Sequence, residues 1–328
     1  MTASSTETRT LHPSARPRAP ECMKTAYLGT SEFAATVLRA LAASEHAPAL
    51  VVSPPDRRKG RGQVTGPPPG AVAARELDLP VHQTAAVNEP GSLAAIEAAG
   101  AEAIVVCAFG QIIKAPLLDA PGGMLNVHPS LLPRWRGAAP IERAIMAGDE
   151  RTGTSIMKLE EGLDSGPVAL TEEVPIGPGD YFDDLSERLA EASGRLLVRA
   201  LDLRAAGDLE FDDQDESLAT YAEKITAEDR RLDPARDAAQ LAWAVRGLNP
   251  HIGTHVELQG GGRLGVRRGR VVEGAPPRGR IERDEAEGVL VLGTASAGFA
   301  LEVVQPPGKK PMSAAEFMRG YPVPERVI

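Results

Sequence analysis

The chain has 328 residues, 42% hydrophobic and 25% charged, with a formal net charge of −9. That length allows two ordinary domains, each with its own core, and no apolar run reaches the roughly 20 residues of a membrane-spanning helix. Two cysteines and six histidines without zinc-like spacing point away from a disulfide framework and a metal centre, and fit a reducing cytoplasm.

Residues 1–22 are rich in Ser, Thr, Pro and Arg and contain no apolar core segment, so they read as a disordered extension and not as a secretory signal. A first strand is expected over 25–30, ending in the Gly29 turn. Ser31 is placed to cap a helix over 32–43, whose apolar face is Phe33, Val37, Leu38 and Leu41. The turn lacks the G-x-G-x-x-G spacing of a dinucleotide site. A strand over 49–52 leads into a Pro- and Gly-rich stretch, 54–70, long for a strand-to-helix loop. It carries Arg57, Arg58, Lys59 and Arg61, which on their own read as a solvated surface cluster. Helices are expected over 71–77 and 92–99, and strands over 103–109 and 124–128. Such strand–helix alternation argues for an α/β, Rossmann-like domain with a mostly parallel sheet, whose ligands bind beyond the carboxyl ends of the strands.

At that place the chain carries chemistry. Asn126 and His128 are two apart at a strand end, so their side chains share a face. Strands over 154–159 and 168–174 would hang the intervening loop over the same rim, with Asp164 between Gly162 and Gly166. An amide, an imidazole and a carboxylate suffice for acyl transfer to an amine: the first two steady an oxyanion and the last two move protons. Each alone has a plainer reading, Asn and Asp as turn formers and His as a satisfied structural residue. Arg134 and Arg136 read equally as ion-pair formers or substrate contacts, Trp135 and Cys107 as packing. A helix over 180–207, with Leu185, Leu189, Leu196, Leu197 and Leu201 inward, closes the domain.

Residues 208–223 are acidic and read as a linker with short structured parts. A helix near 234–246 follows, then short strands at 254–258, 263–266, 270–272, 279–281, 288–292 and 299–303, and a last helix over 313–319. Close-spaced short strands with Gly-rich turns suggest a small β-barrel. From Thr226 onward fifteen basic residues stand against thirteen acidic ones, whereas the remainder has twenty-one against thirty-two. The halves thus differ in sign, a weak hint of divided labour.

Asn-Val-His at 126–128, Ser-Leu-Leu-Pro-Arg-Trp-Arg-Gly-Ala-Ala-Pro at 130–140 and Gly-Leu-Asp-Ser-Gly at 162–166 together resemble the methionyl-tRNA formyltransferase family. The resemblance runs from about Met23 to the C-terminus. The Asn-x-His…Asp core is shared by several folate-dependent formyltransferases, and the longer run is the specific part. The resemblance implies a catalytic formyltransferase domain over 23–207, a linker over 208–225 and an OB-like, tRNA-binding barrel over 226–328. It implies 10-formyltetrahydrofolate as donor and initiator methionyl-tRNA as acceptor, with no metal and no membrane, in a cytoplasmic monomer. The site residues it implies are Asn126, His128 and Asp164 for catalysis, Ser130, Leu131, Leu132 and Pro133 for folate, and Arg57, Arg58, Lys59 and Arg61 for tRNA. Other readings stay open: transfer to glycinamide ribonucleotide or an amino sugar nucleotide, hydrolysis of the formyl-folate, or a non-catalytic RNA-binding module.

Overall fold

The computed structural model describes residues 22–59, 64–120 and 123–328. In chain order the first half runs β1 (Thr25–Gly29), α1 (Glu32–Ala42), β2 (Pro48–Ser53), β3 (Arg57–Lys59), β4 (Val64–Gly66), α2 (Pro69–Glu76), β5 (Val81–Gln83), α3 (Pro90–Ala98), β6 (Ala103–Cys107), β7 (Met124–His128), β8 (Arg136–Gly137), α4 (Pro140–Met146), β9 (Arg151–Lys158), β10 (Val168–Pro175) and α5 (Phe182–Ala206). Among the described residues its main sheet has the order β10-β9-β7-β6-β1-β2-β5. The strands from β7 to β5 run parallel, and β9 and β10 complete the sheet antiparallel. β1, β6 and β7 are buried along their whole length, as parallel strands covered on both faces must be. One face packs under α1, α2 and α5, the other under α3 and the segment after β6. Cys107 belongs to this core; burial pushes its thiol up to about 12, so it is not a nucleophile.

Ser31 caps α1, its Oγ accepting from the Ala34 amide at 3.2 Å, and Val37, Leu38 and Leu41 turn inward. α1 lies directly on α5: a Cβ at Gly194 would stand 2.5 Å from Ala40 Cβ, so only glycine lets the helices approach this closely. α5 ends at Gly207 in the left-handed conformation, φ 81°, a common helix stop.

The second half comprises β11 (Tyr221–Ala222), α6 (Ala238–Leu248), β12 (Thr254–Glu257), β13 (Arg263–Val272), β14 (Ile281–Asp284), β15 (Val289–Gly293), β16 (Gly298–Gln305), β17 (Met312–Ser313) and α7 (Ala314–Gly320). β12-β13-β16-β15-β14 form an antiparallel sheet with β17 on β16, around a core that includes Leu241, Val256, Phe299 and Phe317. The last residues fill the gap between its edges. Val327 bridges Leu258 and Arg326 bridges Arg280, while Ile281 donates to Glu325 O at 2.9 Å and Ile328 to Glu257 O at 3.0 Å. The C-terminal segment thereby links the two edges of the sheet into a barrel.

Several elements differ from the sequence-based expectation. The stretch 54–70 is not plain loop: β3 and β4 pair antiparallel within it. The expected strands 263–266 and 270–272 are one ten-residue strand, bent by register shifts around Arg268 so that it serves two walls of the barrel. The strand expected over 279–281 is Ile281–Asp284, because Gly279, at φ 78°, makes the preceding turn. The helix near 234 begins at Ala238, where Asp237 and Gln240 cap it reciprocally. Residues 1–21 lie outside the described residues.

The two halves are stitched together at α4. Gly247 of α6 sits where a Cβ would lie 3.0 Å from Glu142 O. Arg143 of α4 grips Asp229 through both terminal nitrogens, at 2.7 and 3.0 Å, and Thr226 adds its amide at 2.8 Å and its hydroxyl at 2.9 Å. Partial burial pushes the Asp229 carboxyl up, but these donors outweigh it and bring it from 3.8 down to about 2. A carboxylate held below its unfolded value stabilises the fold above pH 3.8 and loses that contribution as pH falls through about 2. Asp229→Asn is therefore expected to lower the urea midpoint at neutral pH, and the gap to the parent to close between those two pH values. Urea titrations across that range check it; a gap independent of pH would remove the ion pair from the account.

Candidate active site

The carboxyl end of β7 supplies two of the three polar groups. Asn126 pairs with Val106 of β6 on one side and Met157 of β9 on the other, and His128 stands opposite Ser155. Both side chains are nearly buried, 8% and 4% exposed. Asp164 reaches them from the loop between β9 and β10, at φ 50°, a left-handed conformation that Asp tolerates better than most residues. Its Oδ2 accepts from the Gly137 amide at 2.9 Å, its Oδ1 from Asn126 Nδ2 at 3.3 Å, and His128 Nδ1 lies 3.6 Å from Oδ2. The structure thus brings the three expected residues together.

The tautomer of His128 follows from its other contact. Nε2 lies 2.9 Å from the Trp135 carbonyl oxygen. A carbonyl only accepts, so Nε2 carries a hydrogen, and Nδ1 is the nitrogen free to exchange a proton with Asp164. Trp135 is aimed by its own strain, φ 64°. It is held there by an amide bond to Thr220 Oγ1 at 2.9 Å and an indole bond to Asp149 Oδ2 at 2.8 Å. Arg134 grips the same Asp149, at 2.9 and 2.7 Å, with its guanidinium 4.4 Å from the indole ring. Arg136 is 1% exposed and is held by Glu216 at 2.9 and 2.7 Å. That contact raises the Arg136 pKa and lowers that of Glu216. Both arginines are ion-pair formers that lock the loop. Among the described residues, positive φ outside glycine occurs at Asp78, Ala108, Trp135 and Asp164. Three of these four surround the site, where backbone strain commonly concentrates.

The three groups form the polar end of a cleft of about 600 Å³, a volume typical of small-molecule pockets. One wall is the segment 108–114, including Phe109, Ile112 and Ile113; the other is 159–163, with Leu159 and Leu163. Phe109, Ile112, Ile113, Leu159 and Leu163 make much of these walls apolar, with Gln111, Lys114, Glu160 and Glu161 among them, and the walls lead to an amide, an imidazole and a carboxylate. Ser130, Leu131, Leu132 and Pro133 are not among the residues that line this cleft. Ser130 is fully buried, its Oγ donating to Arg134 O at 2.6 Å while its carbonyl accepts from Ser155 Oγ at 2.7 Å. These bonds fix the turn that follows β7.

A second cavity of about 600 Å³ backs onto the first, sharing Ala108, Pro129, Ala138 and Pro140 as a common wall. Phe33, Ile141 and Phe182 make it apolar, and Glu32, Glu142 and Glu187 line it as well. Arg57 and Arg58 stand exposed on β3, and no ion pair among the described residues holds them. The hairpin follows the carboxyl end of β2, which runs parallel to β7 within the sheet, so hairpin and site share a rim. For Lys59 only the backbone is described, and Arg61 lies outside the described residues.

Residues 23–201 match the formyl transferase family and residues 224–322 match the formyl transferase C-terminal domain. A methionyl-tRNA formyltransferase of Cereibacter sphaeroides is 41% identical over 304 residues, 92% of this chain and 98% of that one. One of Paracoccus denitrificans is 42% identical over 306 residues, 93% of this chain and 100% of that one. The chain belongs to the methionyl-tRNA formyltransferase family. HypX of Aquifex aeolicus, solved in complex with tetrahydrofolic acid, shares the fold at a TM-score of 0.64 and 16% identity, over 92% of this chain and 48% of that one.

Two contributors to this candidate site escaped the sequence reading. The Gly137 amide holds Asp164, and Gly137 itself, φ 122°, has no room for a side chain, since a Cβ would stand 2.8 Å from Ala222 O. A main-chain donor leaves no residue-type signal. Gln214 is the other, hidden in an acidic stretch that lacks periodicity.

Proposed function

We propose that this protein transfers the formyl group of 10-formyltetrahydrofolate to the α-amine of methionine esterified to initiator tRNA. The observation that carries the reading is the meeting of Asn126, His128 and Asp164 in the lining of one cleft. The donor supplies an activated formyl carbon; the amine adds to it, giving a tetrahedral intermediate, and the bond to the folate nitrogen then breaks. Negative charge develops on the formyl oxygen, and Asn126 Nδ2 and the His128 imidazole are the donors near it. The amine must lose a proton and the folate nitrogen gain one. Asp164 takes the first, directly or through a water, and His128, protonated on the Nδ1 that faces Asp164, donates to the formyl oxygen and then gives the folate nitrogen its proton. The segments 108–114 and 159–163 hold the pteridine side. The second cavity takes the methionyl end, its apolar lining suiting a thioether and its carboxylates favouring a cationic amine. Residues 23–207 act as the catalytic domain and 226–328 as the tRNA-binding barrel, in a cytoplasmic monomer. Among the described residues no helix is long and apolar enough to cross a membrane.

Labelled formyl-folate offered with methionyl-tRNA, glycinamide ribonucleotide or water alone tests the reading. Label is expected on methionyl-tRNA, with a rate that falls steeply as salt is added. Label on the ribonucleotide, or release to water at an equal rate, would reject it. Arg57→Ala combined with Arg58→Ala is expected to flatten the plot of log kcat/KM against log salt by about two units and to leave folate affinity unchanged. An unchanged slope would take the hairpin out of acceptor binding.

A further inference from the structure

We propose that Gln214 is a positioning residue for Asp164, acting from a strap over 212–222 that ties both arms of the site; this rests on the function proposed above. The loop that carries Asp164 has no regular secondary structure between Lys158 and Val168, and Gly162 within it sits at positive φ, 114°. The carboxylate oxygens are engaged with the site itself, so the backbone of the loop needs its own anchor. Gln214 Nε2 provides it, donating to Asp164 O at 2.8 Å and to Gly166 O at 2.7 Å. Its Oε1 accepts from Arg136 Nε at 3.0 Å. Guanidinium only donates and carbonyls only accept, so the amide fits in one orientation. Arg136 is fixed in turn by Glu216, two residues along the strap.

The strap is stitched to both arms. Asp212 and Val168 exchange main-chain bonds at 2.8 and 2.9 Å, on the Asp164 side. Arg136 N donates to Thr220 O at 2.9 Å and Ala138 N to Ala222 O at 2.8 Å, on the side that supplies the Gly137 amide. Gln214 is the one strap side chain that touches both arms, and it does not line the cleft. It therefore acts on the reaction only through the placement of Asp164. A misplacement of about 1 Å at a reacting group can cost a hundredfold in rate.

Two variants separate positioning from plain structural support. Gln214→Ala removes both links. Gln214→Glu keeps an acceptor for Arg136, and hence the strap, but sets carboxylate oxygens against the Asp164 and Gly166 carbonyls. Both are expected to lower kcat at least tenfold, with KM for methionyl-tRNA and for formyl-folate within about twofold of the parent. Circular dichroism is expected to show Gln214→Glu folded at the assay temperature. Adding Asp164→Asn to Gln214→Ala is expected to cost less than it does in the parent, since the two act as one unit. Parental kcat in Gln214→Glu, a loss confined to KM, or additive losses in the double variant would each overturn the proposal. Absence of formyl transfer in the parent would instead count against the function.

Discussion

Asp164→Asn is expected to lower kcat for formyl transfer by about 10²–10⁴-fold, the usual worth of a positioned acid–base group, while the protein stays folded. Asparagine is isosteric and is among the few residues at ease in the left-handed conformation that Asp164 adopts at φ 50°. Its carbonyl oxygen can still accept from the Gly137 amide, which now stands 2.9 Å from Oδ2. What is lost is the negative charge 3.6 Å from His128 Nδ1, and with it the acceptor for the amine proton. Formyl-folate affinity should change little, because the apolar walls of the cleft are untouched. Single-turnover rates with saturating formyl-folate and methionyl-tRNA, alongside circular dichroism, decide it. Turnover within a few-fold of the parent would remove Asp164 as the base.

Asn126→Ala is expected to lower kcat by about 10²–10³-fold, the typical effect of removing one oxyanion donor. Asn126 Nδ2 is within 3.3 Å of Asp164 Oδ1 and lines the cleft, so it can point to an oxygen bound beside that carboxylate. A donor whose bond strengthens only as charge develops contributes to kcat and not to ground-state binding. The folate dissociation constant should therefore stay within a few-fold of the parental value. An equal loss in affinity and no loss in kcat would make Asn126 a binding residue only.

The legible parts of this molecule were those where burial leaves a one-dimensional trace. β6 and β7 are covered on both faces, so they read as apolar runs, and the period of a strand was enough to place Asn126 beside His128. The α/β class and the antiparallel barrel followed from alternation and spacing. The missing parts depend on pairing between distant or polar segments. The β3–β4 hairpin is made of cations and small residues, β5 has only three residues, and closure of the barrel depends on Val327 meeting Leu258. Gln214 looked like linker because its partners are a buried guanidinium and two carbonyl oxygens.

The seating of α1 on α5 has a consequence for biosynthesis. Val37, Leu38 and Leu41 share their core with Leu196, Leu197 and Leu201, supplied by a helix that begins about 140 residues downstream. At ordinary elongation speeds that interval lasts on the order of 10 s. A nascent chain paused within it has α1 packed on β1, β2 and α2 but still lacking its α5 partner, so part of its apolar face stays open to water.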